Sequence, residues 1–389
     1  MGEEKAGHNR EDYRKKNRGM TLRLIATGTC SNRSELVGKL GLSKMAITKI
    51  VSEMMGKGLL CEEEVKTTDL GRPPQGLKIA PEAPLVAGLG IQRDRCEAVV
   101  CDLSLHILQK EVVFYGEEMD EEKLLTCIYQ IMDTILYGRD KVIAIGVSCV
   151  GPISSAAGKI LKPYFFYNIH DVEIVRLLTE RYHRPSFLDH DNQSAAVAEY
   201  FYGSGKGFRD ILYIGVGSGV GCGIISGGAR YRNDRGLPPE LGHVSINLNG
   251  RKCQCGSKGC VETYLRSPVI LESLYALTQK YYSYETFAKM KDNPEVEKVF
   301  EEAIYALSAA VVSTINITNS EVIILGNDAA YWDERYFRLM GELVNEKRFV
   351  EWDAPVQVLR SAFLEDAVVL GAACNALEEL FLGNLLFDE

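Results

Sequence analysis

Three cysteines fall within one short loop, Cys253-Gln254-Cys255-Gly256-Ser257-Lys258-Gly259-Cys260, and an imidazole precedes them at His243. Three thiolates and one imidazole are the soft donor set of a closed tetrahedral zinc site. Gly256 and Gly259 let the backbone turn tightly between donors. Four protein ligands leave no open coordination position, so zinc held this way is structural. The other eight of the eleven cysteines are scattered singly. The first residues, MGEEKAGHNREDYRKKNRG, lack the apolar core of a signal peptide. No run of about 20 apolar residues suggests a membrane span. The expectation is a cytoplasmic protein whose clustered cysteines hold metal rather than disulfides.

Carboxylates flank that loop. Pro239-Glu240-Leu241-Gly242-His243 stands before it, and Glu262 follows the last cysteine by two positions. A metal-closed loop would draw Glu240, His243 and Glu262 into one small region. Carboxylates and imidazole together match sugar hydroxyls, which both donate and accept hydrogen bonds; a solvated acidic loop is the plainer alternative. Upstream, Gly215-Val216-Gly217-Ser218-Gly219-Val220-Gly221-Cys222-Gly223 could expose backbone N–H groups to a phosphate. The same glycines would equally serve a tight hairpin.

What must position these groups is an acidic body carrying a basic head. Residues 1–80 hold 15 Lys and Arg against 10 Asp and Glu, whereas the rest of the chain holds 29 against 43. In the head, Met20-Thr21-Leu22-Arg23-Leu24-Ile25 has apolar residues at helical spacing. Asn32 with Glu35 forms a capping box for a second helix, which buries Leu36, Val37 and Leu40 and stops at Gly41. Ser43 caps a third helix from Lys44 to about Met55, with Ile47, Ile50, Val51 and Met54 turned inward. Two short helices joined by Gly41-Leu42-Ser43 form a helix-turn-helix, whose second helix enters the major groove. Lys44, Met45, Thr48, Lys49 and Ser52 are left facing outward, able to reach base edges or phosphates. Leu59-Leu60-Cys61-Glu62 and residues 67–80 resemble the two strands of a wing. Its tip, Gly71-Arg72-Pro73-Pro74, would offer Arg72 to a minor groove. A three-helix packing module with a charged face is the alternative.

Residues 81–84, bounded by two prolines, read as a linker. Beyond them, strands at 85–91, 97–102, 142–147, 186–189 and 211–214 alternate with helical stretches, so the body is an α/β fold with mixed sheets. His190-Asp191-Asn192-Gln193 ends the fourth strand and opens an alanine-rich helix.

With Glu240-Leu241-Gly242-His243, the cysteine loop, Gly151-Pro152 and Leu70-Gly71-Arg72-Pro73-Pro74 in place, the chain resembles the ROK family (repressors, open reading frames and kinases). The likeness is to its transcriptional-regulator branch, which includes the xylose and N-acetylglucosamine repressors, and runs from about residue 17 to 380. The resemblance implies a winged helix-turn-helix followed by two actin-like, ribonuclease-H-like lobes with sugar bound between them. Domains at 1–81, 82–195 (joined by a C-terminal helix, 372–389) and 196–371 follow. Asp191 corresponds to the kinase base that takes a proton from a sugar hydroxyl. Gly151, His190, Asp191, Glu240, His243 and Glu262 correspond to the sugar-contacting positions, with His243 touching zinc through one nitrogen and sugar through the other. The zinc ligands are His243, Cys253, Cys255 and Cys260.

The departures from the family's kinases indicate loss of catalysis. The paired glycines that admit ATP phosphates are replaced by Gly90-Ile91-Gln92-Arg93-Asp94-Arg95-Cys96, and the later nucleotide loop reads Leu325-Gly326-Asn327-Asp328-Ala329. Asp191 is then a vestigial base. His190 and Gln193 stand where the family has asparagines, and Pro238-Pro239 replaces Ala-Gly. The expectation is a sugar-responsive regulator, a repressor that binds operator DNA and a sugar or sugar phosphate. It would act as a homodimer or dimer of dimers, with no membrane partner. A sugar kinase and a repressor released by a protein partner are the alternatives.

Overall fold

The computed structural model describes residues 10–64, 75–116, 118–163, 165–349 and 354–387. Within them the head consists of α1 (Arg10–Ala26), α2 (Arg33–Leu40), α3 (Lys44–Gly56) and the hairpin of β1 (Leu60–Glu64) with β2 (Gln75–Ile79). The caps form as the spacing requires. Asn32 Oδ1 accepts from the Glu35 N–H at 3.0 Å, and Glu35 reaches back to the Ser31 N–H at 2.6 Å. Gly41 ends α2 in the left-handed region at φ 65°, and Ser43 accepts from the Ala46 N–H. Ile47, Val51 and Met54 are buried against Leu22 and Leu36, while Ile50 is only half-buried. Helix α1 starts ten residues earlier than the apolar spacing indicates, because its polar first turns run along the body. The wing tip with Arg72 lies outside the described residues.

The body contains two sheets of one design. In the first lobe, β3 (Leu85–Ile91), β4 (Arg95–Cys101) and β5 (Ile107–Phe114) form an antiparallel meander. Helix α4 (Glu121–Leu136) crosses to β6 (Val142–Cys149). After the small hairpin of β7 (Ile153–Ser154) and β8 (Lys159–Ile160), α5 (Ile174–Tyr182) leads to β9 (Ser186–His190). Strands β6 and β9 run parallel to β3, giving the order β5-β4-β3-β6-β9. Parallel neighbours need crossovers, and α4 and α5 supply them.

Helix α6 (Asp191–Tyr202) then leads into the second lobe. There β10 (Ile211–Val216), β11 (Val220–Ser226) and β12 (Ala229–Arg230) form the meander. The crossover consists of α7 (Glu262–Leu265), α8 (Ser267–Thr278), α9 (Tyr284–Ala288) and α10 (Pro294–Thr318). It returns to β13 (Val322–Asn327), and α11 (Glu334–Lys347) leads to β14 (Gln357–Arg360). The order β12-β11-β10-β13-β14, with β10, β13 and β14 parallel, repeats that of the first lobe. Helix α10 is long and apolar enough to cross a membrane by length and composition. Its buried Val296, Phe300, Ala303, Leu307 and Val311 recur at helical spacing and pack in the second lobe's core.

The chain ends in α12 (Ala367–Leu382), which lies on the first sheet and crosses α6. This packing is backbone to backbone. A Cβ at Gly146 would stand 1.7 Å from the Ala372 carbonyl oxygen, and one at Gly371 would stand 2.4 Å from the Ser194 carbonyl carbon. Side chains at either position would push the helix off the sheet. Helix α6 runs through residue 195, so the lobes meet along a helix rather than at the expected boundary, and the last helix begins at Ala367 rather than 372.

The head is not tethered loosely. Gly19 of α1 sits against the Phe381 carbonyl, and Gly383 sits against Lys15. Leu22, Leu36 and Ile47 of the head share one continuous core with Phe201 of α6 and Leu380, Phe381 and Phe387 at the C-terminus.

Candidate functional site

The two lobes enclose a cleft with a cavity of about 720 Å³. Its floor is the end of β9 and the first turn of α6, where the chain changes from strand to helix at His190 and Asp191. Asp191 Oδ1 accepts from the Asn192 N–H at 2.6 Å and from Asn192 Nδ2 at 2.7 Å. The buried His190 ring lies with Nδ1 3.2 Å from Asp191 Oδ1 and its other edge against Gly151. A Cβ at 151 would stand 2.7 Å from His190 Cδ2, so glycine there is what admits the imidazole. Glu240 approaches from the second lobe, 3.8 Å from that same point. It stands at the cleft mouth, open to water on one side and walled by protein on the others. The burial it does suffer raises its carboxyl above the usual carboxylate range; His190 and His243 oppose the shift, and Asp191 and Glu262 add to it.

The glycine run is explained mainly by what it seats. A Cβ at Gly215 would stand 1.9 Å from Asn192 Oδ1, one at Gly221 2.4 Å from Asn192 Nδ2, and one at Gly223 2.3 Å from the Asn192 carbonyl oxygen. The β10–β11 hairpin is therefore glycine-rich because the first turn of α6 presses on it. Gln193 completes the joint, donating to the Ile224 carbonyl at 2.9 Å and accepting from its N–H at 3.0 Å. The glutamine at 193 thus binds α6 to the second sheet.

On the far side of Glu240 the four metal donors converge. The ligand atoms of His243, Cys253, Cys255 and Cys260 all lie within 4.8 Å of one another. Cys255 Sγ is 3.6 Å from Cys260 Sγ, and Cys253 Sγ is 3.6 Å from His243 Nδ1. Ligands about 2.3 Å from a tetrahedral zinc would be about 3.7 Å apart, whereas a disulfide would bring sulfurs to about 2.05 Å. The group fits a metal ion. Glu262 stands beside it, with Oε1 3.3 Å from Cys253 Sγ and 3.6 Å from His243 Nδ1. His243, Cys255 and Glu262 also line the cleft, so the donor cluster forms part of its wall.

Gly151, His190, Asp191, Glu240, His243 and Glu262 are thus brought to one cavity. A group that sequence reasoning missed adjoins it. The Arg230 side chain, 2% exposed, donates to Asp189, to Glu378 at 2.8 Å and to Asn375 Oδ1 at 2.8 Å. Arg230 comes from β12, Asp189 from β9 and the other two from α12, so this network joins the lobes directly behind His190. No spacing motif marks it; its members meet only in the tertiary fold.

In the head, Lys44, Met45, Thr48, Lys49 and Ser52 are all exposed on α3. Met45 is 82% exposed.

A sequence profile of the ROK family matches residues 86–379. The xylose repressor of Caldicellulosiruptor bescii is 21% identical over 384 residues, covering 94% of this chain and 96% of that protein. The DNA-binding transcriptional dual regulator NagC of Escherichia coli is 25% identical over 387 residues, covering 95% and 94%. Among solved structures, a ROK family transcriptional regulator described as a homologue of the E. coli MLC protein superimposes with a TM-score of 0.80 at 22% identity, covering 96% of this chain and 98% of its own. A ROK family glucokinase from Streptomyces griseus, in complex with glucose and AMPPNP, covers 74% of this chain and 98% of its own, with a TM-score of 0.63 at 23% identity. The likeness to kinases therefore stops at the body, while the likeness to regulators includes the head; by its profile match over most of its length, this chain is a member of the ROK family.

Proposed function

We propose that this protein is a sugar-responsive transcriptional repressor, which binds operator DNA through the head and a sugar in the interlobe cleft. One observation carries the reading: the head is seated on the far ends of the two helices that begin in the cleft. Helix α6 starts at Asp191, and α12 contributes Val368 to the cavity wall. At about 1.5 Å per residue the two helices reach roughly 18 and 24 Å from there. At their C-terminal ends Phe201 meets Phe381 edge to face at 5.6 Å, Arg23 of α1 lies over Phe201, and Lys206 donates to the Thr27 carbonyl at 2.7 Å. Lobe closure about a sugar would shift α6 against α12 and tilt α1 with them. A coupling of about 1–3 kcal/mol suffices to change operator occupancy usefully.

Zinc on His243, Cys253, Cys255 and Cys260 would fix the cleft wall and supply no reactive position. Asp191 is a base without a phosphoryl donor, since Arg93 and Arg95 replace the glycines that would admit ATP. Paired heads in a homodimer or dimer of dimers would read half-sites one helical turn or a multiple of it apart.

The test is operator binding followed by fluorescence anisotropy with and without sugar. Glu240→Ala is expected to abolish the sugar response while leaving affinity for DNA unchanged; a retained response would place the effector elsewhere. Lys44→Ala and Lys49→Ala are each expected to weaken operator binding and to reduce the slope of log K against log salt by about one. If both variants bind as wild type does, α3 is not the reading helix.

A further inference from the structure

Given a sugar in the cleft, as in the regulator reading above, His190, Glu240, His243 and Glu262 match its hydroxyls but not its ring. A pyranose carries hydroxyls around its rim and C–H bonds on its two faces, so a site that holds one also needs an apolar surface. The first lobe offers such a surface on the cavity wall at Phe165. The segment between β8 and α5 holds that ring in an uncommon way. Phe165, Tyr167 and Asn168 all have left-handed backbone, at φ 57°, 50° and 57°, a region that residues other than glycine seldom enter and bulky ones least. The anchor is Phe166, which is 1% exposed and meets Tyr115 edge to face at 6.4 Å. Its carbonyl accepts from the N–H of the buried Ile169 at 2.9 Å. With Phe166 fixed inward, Phe165 is left 50% exposed beside the cavity. Backbone of this kind persists only where packing holds it, and it gathers at ligand clamps.

The second lobe meets the same ring. Arg266, between α7 and α8, lies with its guanidinium carbon 5.4 Å from the Phe165 ring centroid, within reach of a cation–π contact. Phe165 lines the cavity and Arg266 does not, so the guanidinium takes the side of the ring turned away from the cleft. The Arg266 N–H donates to the Glu262 carbonyl at 3.1 Å, one turn back. The ring therefore stands at the end of the cleft that holds the hydroxyl-binding groups. We propose that Phe165 is a specificity-determining residue: its open side packs on the C–H face of a pyranose whose hydroxyls Glu240, His243 and Glu262 hold, while Arg266 braces the ring from behind. Phe165 belongs to the first lobe and the three hydroxyl-binding groups to the second, so a sugar gripped by both draws the lobes together.

The test is calorimetric titration of the zinc-loaded full chain with glucose, xylose and N-acetylglucosamine, and with the terminal phosphates of glucose and N-acetylglucosamine. For the sugar that wild type binds, Phe165→Ala is expected to weaken binding at least about fivefold, the worth of covering the open half of a phenylalanine side chain. Phe165→Tyr keeps the ring and should stay within about twofold of wild type, and Arg266→Ala should lose less than Phe165→Ala does. The melting temperature of ligand-free Phe165→Ala should match that of wild type, because the side chain is half exposed. Unchanged affinity in Phe165→Ala overturns the proposal and leaves the regulator reading standing. A loss in Phe165→Tyr equal to that in Phe165→Ala also overturns it, since the ring is then not what the sugar meets. An equal loss in Arg266→Ala would make the contact between the lobes the cause, and a lowered melting temperature in ligand-free Phe165→Ala would make the fold the cause; either overturns it. Wild type that binds no sugar overturns both readings together.

Discussion

Cys255→Ser is expected to abolish the zinc binding proposed above and to lower the melting temperature by at least about 5 °C, since each kcal/mol is worth about 2–4 °C in a domain of this size. Cys255 is the most accessible of the three loop cysteines, so serine there disturbs little packing and the loss reports on the metal. The segment between His243 and Glu262 has little else to hold it. Among the described residues it forms no helix or ladder of its own beyond isolated bridges at Ser245–Cys260 and Lys252–Lys258. A few backbone bonds close it, such as Ile246 N–H to the Gly259 carbonyl and Cys253 N–H to the Ser257 carbonyl, both 2.9 Å. Without a cation the clustered thiols stand beside the Glu262 carboxylate, so every thiolate formed adds repulsion. Structural zinc binds with apparent free energies of about 10–16 kcal/mol in small domains, which sets a ceiling. Only part of it reaches global stability here, because the second lobe has a large core of its own. Loss of position for His243 and Glu262 should also abolish sugar binding, while the head keeps its fold. Elemental analysis after dialysis decides the first point: one zinc per chain in the variant would refute the ligand assignment.

The parts of this architecture that sequence made legible are those whose determinants are local. Asn32, Glu35, Gly41 and Ser43 mark helix ends within a few residues, and the structure uses each as a cap. The cluster that could hold a metal was readable because three of its four donors lie in one loop, and the fourth precedes them by ten positions. The glycines of β10 and β11 had two meanings that spacing could not separate. The deciding fact, the pressure of Asn192 on Gly215 and Gly221, comes from a helix that starts some twenty residues earlier. The extent of α1 was underestimated for a related reason: its first turns have little apolar periodicity and owe their place to the C-terminal end of α12. Likewise the boundary expected at 195 cuts a helix that both lobes share. Elements that serve two bodies at once carry no terminal signal where one body ends.

Asp189→Asn is expected to cost about 3 kcal/mol, the lower part of the range for breaking a buried ion pair. The lower part applies because Arg230 would keep Glu378 and Asn375 as partners. What it loses is the carboxylate that joins β12 to β9, so the damage should fall on the joint between the lobes. Asp189 is nearly inaccessible, and burial alone would raise its pKa; Arg230 and Arg232, with the His190 N–H donating at 2.7 Å, outweigh burial and hold it below the usual value. A carboxyl lowered in the folded state contributes stability above its unfolded pKa of about 3.9, and that stability disappears as pH falls through the lower, folded value. The variant should therefore lie below wild type at pH 7 and approach it under acid conditions, once Asp189 is protonated in both states. Arg230→Met alone would leave Asp189 and Glu378 with only the half-exposed Arg232, 3.4 and 3.8 Å away, and should cost more. Adding Asp189→Asn to it should recover part of that loss, a coupling that independent sites would not show. Urea unfolding at pH 7 and at pH 3 measures all three variants. A loss below about 1 kcal/mol for Asp189→Asn at pH 7 would mean that Glu378 and Asn375 satisfy the arginine and that the tie between the lobes lies elsewhere. If the predicted loss is found, sugar affinity should fall with it, because His190 and Asp191 follow Asp189 directly and take their position from the strand that this pair anchors.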